Sequence, residues 1–348
     1  MSKPIQVGVI GAGANTKLHH IPKFQGIEGV SVVGVCNRSR ESGDRVAREF
    51  GIPRVFENWQ SVVEDPSIDA VVIGTWPYTH CEMTCAALVA GKHVLCEARM
   101  AMNAAGANTM LETSRAHPEC VAQIVPSPFT LKFDRTLKRL VEERFIGDLF
   151  AVDMNGGMGG FADVEAPMSW RKDMALSGMN IMAMGIWYEA MARWVGHAST
   201  VFAQSNVFIH ERPGADGTPA PVEIPDHITV LMDLECGAQA SLRCSEVTGL
   251  APNPFTAFLY GRDGTLHLDP GQGKLLAATR AGDGFAEIEI PDHEAQHWRV
   301  EEEFVGAIRG DEEIKLTSFD TAVKYMEFTE AVDRSAKSGS AVGLPLRE

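Results

Sequence analysis

The 348 residues are 45% hydrophobic and 22% charged, which is ample for a sizeable core and too long for one ordinary domain, so two domains are expected. Lys and Arg total 31 against 46 Asp and Glu, and the net charge of -15 repels polyanions, so neither nucleic acid nor a membrane surface is an expected partner. Met1 to Ile5 shows neither the basic start nor the apolar core of a signal peptide, and no apolar stretch is long enough to span a bilayer. The seven cysteines (Cys36, Cys81, Cys85, Cys96, Cys120, Cys236, Cys244) are odd in number and lie mostly in apolar runs, which reads as buried thiols in a reducing, cytoplasmic setting. Cys81 and Cys85 stand one helical turn apart without accompanying His or Cys spacing, so core thiols are the reading and no metal site is expected.

From residue 5 to about 125 the apolar runs IQVGVIGA, VSVVGVC, AVVIGT, KHVLCE and CVAQIV alternate with helical segments. This is the pattern of a parallel sheet covered on both faces. Helix ends are marked by Ser39 or Ser42 before RVAREF with Gly51 beyond, and by Thr79 before HCEMTCAALVA with Gly91 beyond. Residues 1–125 therefore read as a doubly wound α/β domain. After Pro126 and Pro128 come a helix over 132–144, the strand LFAVDM, a Gly-rich stretch at 156–160 and a helix over 178–194. The later runs HITVLMDL, AQASLRC, TAFLYG and GTLHLD alternate as strands of a mostly antiparallel sheet with one face buried. Residues 126–348 read as an α+β domain with an open sheet, in which 212–221 (RPGADGTPAP) is a surface loop and 321–336 the last helix.

The first strand runs into Gly11-Ala12-Gly13-Ala14-Asn15-Thr16, followed by a helix from near Lys17. Gly11 permits the tight turn, and Gly13 admits a pyrophosphate to the helix N-terminus. Thr16 stands where the usual third glycine or alanine would, which loosens helix-strand packing or offers a hydroxyl to a phosphate oxygen. At the first strand of a doubly wound domain this turn predicts a Rossmann dinucleotide site. The second strand ends at Asn37-Arg38-Ser39-Arg40, without the acidic residue that would bind the NAD ribose. NADP(H) is the expected preference, through Arg38 and Ser39, with NAD(H) as the alternative; the opposing reading makes the arginines solvated charges opening the next helix.

These residues resemble the Gfo/Idh/MocA family, which includes glucose–fructose oxidoreductase and inositol dehydrogenases. The resemblance rests on the glycine turn with Leu18-His19-His20-Ile21-Pro22, on Gly74-Thr75-Trp76-Pro77-Tyr78-Thr79-His80, and on Gly91 through Glu97. In the second half it rests on Trp170-Arg171-Lys172-Asp173, the helix with Met182 to Trp187, and Tyr260-Gly261 through Leu268. It implies a nicotinamide-dependent enzyme whose second domain builds the substrate pocket and often an oligomer interface, a dimer or tetramer. Two motifs depart from the pattern. The family's Glu-Lys-Pro, whose lysine moves a proton near the nicotinamide, is here Glu97-Ala98-Arg99; the family's Asp and His four residues apart are here Ala183 and Trp187. A methyl group and an indole cannot shuttle a proton at neutral pH.

Replacements are sought nearby. Lys172 is a candidate proton carrier with Asp173 as its charge partner, and Tyr188 a second candidate, each weighed against a solvated pair and a core residue respectively. Helical spacing puts Asn180, Ala183, Met184 and Trp187 on one face, a wall suited to stacking on a sugar or aromatic ring. Arg99 reads as a substrate carboxylate or cofactor phosphate ligand, or as a solvated arginine. The resemblance places the cofactor along Gly11, Gly13, Ala14, Asn15, Thr16, Asn37, Arg38, Ser39, Thr75, Trp76, Pro77, His80, Glu97 and Arg171. Within that set His80 positions rather than acts, and Glu97 orients the nicotinamide end; of His19 and His20, one supports cofactor packing.

The leading expectation is an oxidoreductase exchanging hydride with a CH–OH or C=O carbon of a small ring compound, a sugar or cyclitol derivative first. One alternative uses a retained cofactor transiently for elimination or hydrolysis. Another is a redox-inactive dinucleotide-binding sensor or partner subunit.

Overall fold

The computed structural model describes residues 4–157, 160–250 and 255–347. Six apolar runs form strands β1 (Ile5–Ile10), β2 (Val30–Cys36), β3 (Arg54–Val55), β4 (Ala70–Ile73), β5 (His93–Cys96) and β6 (Ala122–Ile124). They pair in parallel in the order β3-β2-β1-β4-β5-β6. Every residue of β4 is buried, as in strands covered on both faces. The crossovers are α1 (Ile21–Gly26), α2 (Arg40–Phe50), α3 (Trp59–Glu64), α4 (Pro77–Val89) and α5 (Ala104–Ala116). Ser39 caps α2 by accepting from the Ser42 N–H at 3.3 Å, and Gly51 closes it at φ 66. Helix α4 begins at Pro77, earlier than expected, because proline is already set for the first helical turn. Residues Thr16–His20 form a π-helical turn leading into α1. Sheet order reverses between β1 and β4, where a doubly wound sheet opens a crevice at the strands' C-terminal ends.

The second sheet is built from β7 (Leu149–Gly157), β8 (Ala198–Asn206), β11 (His227–Leu234), β12 (Gln239–Ser245), β13 (Phe255–Gly261), β14 (Gly264–Asp269), β15 (Lys274–Thr279), β16 (Ala286–Glu287) and β17 (Val342–Gly343). Its order is β16-β15-β14-β13-β7-β12-β11-β8-β17, antiparallel except for the β7–β12 pair. Alternating burial along β11 gives it one packed and one open face. Met158 and Gly159 of the Gly-rich stretch lie outside the described residues. Helix α6 (Leu131–Glu142) precedes this sheet, and α7 (Met174–Ser177) and α8 (Met184–Val195) follow β7.

Two expectations are corrected here. The helix over 178–194 starts only at Met184, because Gly178 at φ 65 and Met182 at φ 45 break the path between α7 and α8. The expected loop over 212–221 contains a two-stranded hairpin, β9 (Glu211–Pro213) with β10 (Pro219–Pro221). Within it Arg212 is nearly buried, donating to the carbonyls of Asp163 and Ala166 at 2.8 and 3.0 Å.

The chain divides into one unit reaching Pro126 and including Arg299–Val323, and a second of Ser127–Trp298 with the residues after Val323. The first crossing falls next to the expected boundary at 125, but the expected division kept 299–323 in the second domain. Helix α9 (Val300–Arg309) belongs to the first unit through Phe304, edge-on to Phe24 at 6.2 Å, and Glu303, which accepts from Gln123 at 2.7 Å. The Ile124 N–H also donates to the Thr317 carbonyl at 3.0 Å. The last helix, α10 (Phe319–Ser338), spans the second boundary. Among the described residues no helix is long and apolar enough to cross a membrane.

Candidate functional site

Beyond β1, Gly11 sits at φ 84, where a Cβ would come within 2.6 Å of the Thr75 side chain and 2.7 Å of its backbone nitrogen. Only glycine fits. A Cβ on Gly13 would meet nothing nearer than 3.8 Å, so that side of the turn is open to a ligand. Thr16 is 1% exposed and its hydroxyl donates inward to the Gly11 carbonyl at 3.3 Å. Its side chain packs against Gly74. Asn37 Oδ1 accepts from the Ala12 N–H at 2.7 Å, while its Nδ2 donates to Ser42 Oγ at 2.9 Å. Its role is therefore to hold the turn.

These residues border a cavity of about 360 Å³, lined among others by Gly13, Arg38, Ser39, Ser42, Arg45 and Trp76. Arg38 lies over the Trp76 ring at 5.5 Å. Arg45, on the second turn of α2, also lines the cavity and is a residue that no sequence motif marks. A glycine turn with an open face beside a helix N-terminus fits the pyrophosphate of a dinucleotide. Thr75 and Thr79 are joined hydroxyl to hydroxyl at 2.7 Å. Fully buried His80 stands 2.9 Å from the Arg99 carbonyl and 3.2 Å from the Thr75 carbonyl, tying the two loops together. Burial pushes its pKa down against those carbonyls, which suits a positioning residue.

At the end of β5, Glu97 accepts from Asn15 Nδ2 and stands 3.0 Å from His20 Nε2. His20 Nδ1 stands 2.6 Å from Glu301 Oε1. Burial disfavours a charged ring, yet the hydrogen bonds to Glu301 and Glu97 outweigh it and raise the His20 pKa to about 9. Burial opposes ionisation of Glu97 too, but His20 and Asn15 carry its pKa below the usual range. His20 is thus the histidine that supports this region, while His19 is half-buried. No sequence signal marks Glu301, which is 281 residues away. Arg99 is 5% exposed, so it is not a solvated arginine.

In the second unit Lys172 is 6% exposed and pairs with Glu246, not Asp173. Asp173 instead caps α7 by accepting from the Ala175 N–H at 2.8 Å. Arg171 is exposed and lies over the Trp170 ring at 4.3 Å. Asn180 precedes α8, so it shares no helix face with Trp187; its Nδ2 donates to the Ser177 carbonyl at 2.7 Å. Trp187 is stacked between Phe129 and Phe255, with centroids 4.1 and 3.6 Å away. Both indole faces are taken, leaving an edge rather than a wall for a substrate ring. Tyr188 is corrected outright as a catalytic candidate. It is 1% exposed, stacks on Phe328 at 3.7 Å and accepts from the Ala198 N–H at 3.0 Å, while burial pushes its pKa up.

A family model described as an oxidoreductase family with an NAD-binding Rossmann fold matches residues 5–124, and the GFO/IDH/MocA C-terminal domain matches 135–267. The chain belongs to the Gfo/Idh/MocA family of oxidoreductases. It is 26% identical to a levoglucosan dehydrogenase of Pseudarthrobacter phenanthrenivorans over 75% of this chain and 73% of that one. It is 24% identical to a myo-inositol 2-dehydrogenase of Thermotoga maritima over 78% of this chain and 75% of that one. A trans-1,2-dihydrobenzene-1,2-diol dehydrogenase of Mus musculus is also 24% identical, over 79% and 75%. The fold matches a levoglucosan dehydrogenase solved with NADH and L-sorbose at TM-score 0.84 and 22% identity, covering 99% of this chain and 100% of that one. The protein is an NAD(P)-dependent oxidoreductase.

Proposed function

We propose that the protein is an NADP(H)-preferring dehydrogenase or reductase exchanging hydride with a CH–OH or C=O carbon of a small ring compound, first a sugar or cyclitol derivative. The observation that carries this reading is the anion-accepting end of the cavity: Asn37 is neutral and engaged on both polar atoms, with Arg38, Ser39 and Arg45 alongside. A carboxylate at position 37 would repel a ribose 2′-phosphate, and guanidinium groups attract it. Relatives named for levoglucosan, myo-inositol and a dihydrobenzene diol favour a cyclic alcohol as substrate.

When bound, the cofactor supplies or receives the hydride. In this reading the turn at Gly11, Gly13, Ala14 and Asn15 receives the pyrophosphate, with Thr75, Trp76 and Pro77 along the cofactor and Glu97 fixing the nicotinamide end. Lys172 Nζ gives a proton to the substrate oxygen during reduction and takes it back during oxidation, with Glu246 as its charge partner. Arg99, Arg171, Asn180 and the Trp187 edge serve as cofactor or substrate contacts. The seven free cysteines support a reducing, cytoplasmic setting. An exposed pair on the open sheet face, Phe202 opposite Leu231, supports a homo-oligomer.

Fluorescence titration with NADPH and NADH tests the cofactor half, which equal or tighter NADH binding overturns. Transfer of label from a 4-deuterated cofactor across a panel of ring ketones tests the activity half. Failure of transfer to every member, with cofactor bound, supports the redox-inactive alternative instead.

A further inference from the structure

His20 closes the turn that leads into α1, with each ring nitrogen against a carboxylate: Nε2 is 3.0 Å from Glu97 Oε1 and Nδ1 is 2.6 Å from Glu301 Oε1. An ionised carboxylate can only accept, so both nitrogens carry protons and the ring is a cation. His20 and Glu301 are fully enclosed, whereas the Glu97 side chain is 14% exposed. Glu97 also accepts from Asn15 Nδ2 of the glycine turn and from the Ala98 N–H at 3.2 Å. Of the three groups, only Glu97, at the end of β5 beside that turn, is open to a ligand. His20 screens its charge from behind, and Glu301 holds His20 protonated. The other charged groups nearby are Lys17, 3.4 Å from Glu49, and Lys23, 3.9 Å from Glu302. On α9, Glu303 accepts from Gln123, and on α4 buried His80 is held by two backbone carbonyls.

We propose that His20 and Glu301 are positioning residues that set, through Glu97, the balance between oxidised and reduced cofactor in the site. This rests on the reading that puts Glu97 at the nicotinamide end. The nicotinamide ring is a cation when oxidised and neutral when reduced, so a carboxylate beside it favours the oxidised form. Protonated His20 moderates that preference by offsetting part of the Glu97 charge, and neutral His20 releases it. Burial lowers the His20 pKa, but the hydrogen bonds to Glu301 and Glu97 outweigh burial and raise it to about 9, so the release falls in the alkaline range. A tenfold rise in the Kd of the reduced form relative to the oxidised form lowers the potential of the bound couple by about 30 mV, which makes it a stronger hydride donor.

The test uses the full chain from about pH 7 to 10, with NADPH read by its fluorescence and NADP+ by displacement of NADPH, or NADH and NAD+ if that pair binds more tightly. The quantity compared is the ratio of the reduced to the oxidised Kd, in which titration of the cofactor phosphates cancels. In the wild type this ratio should rise about tenfold, centred near pH 9, as one charge close to the ring is uncovered. Glu301→Gln still offers an acceptor to His20 Nδ1 but no charge, so the rise should move down by about one pH unit or more. Glu97→Gln should lower the ratio about tenfold at neutral pH. A wild-type ratio that stays flat over the whole range overturns the proposal, as does a rise that is unmoved in a Glu301→Gln protein with native circular dichroism; either result, with Glu97→Gln effective, leaves the placement of Glu97 standing. An unchanged ratio in folded Glu97→Gln overturns that placement and the proposal with it.

Discussion

His20 Nδ1 stands 2.6 Å from Glu301 Oε1, with both side chains fully enclosed, and the opposite ring nitrogen faces Glu97. An unfolded histidine titrates near about 6.5. Here burial is outweighed by the two carboxylates and the pKa rises to about 9. The stabilisation from His20 is therefore complete below about pH 6.5 and is lost as the pH climbs through about 9, with a ceiling of about 3 kcal/mol. Glu97 has the opposite sense: its pKa is lowered, so its contribution is present at neutral pH and lost in acid. Urea unfolding should show wild-type stability falling from neutrality toward about pH 10. His20→Gln should flatten that alkaline limb and cost about 3–5 kcal/mol at neutral pH, because it leaves buried carboxylates without their cation. A wild-type profile flat through the alkaline range contradicts the assignment.

Tyr188→Phe separates a core residue from a proton carrier. The substitution keeps the stack on Phe328 and removes the acceptor of the buried Ala198 N–H. It should cost about 1–3 kcal/mol of unfolding free energy. Turnover at saturating substrate should be unchanged when assayed below the unfolding transition. A loss of kcat in a folded variant would restore Tyr188 to the reaction.

The fold was legible where a single stretch of chain determines the structure. Strand AVVI reads as a strand because burial on both faces demands an unbroken apolar run, and Gly11 reads as a turn because its conformation is a property of one residue. Features that depend on distant chain were not legible. Lys172 stands beside Asp173 in sequence but pairs with Glu246, since charge partners follow sheet topology rather than spacing. Helical spacing puts Asn180 on a helix face because apolar periodicity does not register the left-handed Met182 that interrupts it. Nothing in 299–323 announces that it returns to the first unit, because an amphipathic helix reads alike whichever core receives it.

Lys172 is the remaining titratable candidate for proton transfer in the second unit, and its role is separable from cofactor binding. Lys172→Met should lower kcat by about 10²–10⁴-fold, the usual contribution of a positioned acid or base, while the cofactor Kd stays unchanged. Glu246→Gln removes the charge partner but not the amine. It should retain intermediate turnover, between wild type and Lys172→Met. Full activity in folded Lys172→Met would show that solvent carries the proton.

Cofactor choice rests on which charges face the ribose. Arg38→Ala removes one guanidinium from the cavity wall and its contact with Trp76. A charge-assisted hydrogen bond contributes about 1.5–3 kcal/mol, so NADPH binding should weaken about 10–100-fold while NADH binding barely moves. Asn37→Asp is the complementary change. A carboxylate at this position still accepts from the Ala12 N–H, so the turn is kept, although the donation to Ser42 is lost. The added negative charge repels a 2′-phosphate and offers an acceptor to a free ribose hydroxyl, so the preference should invert toward NADH. Paired titrations of both variants with both cofactors decide the matter: parallel losses for NADPH and NADH would mean that Arg38 and Asn37 only maintain the turn and do not discriminate between the two.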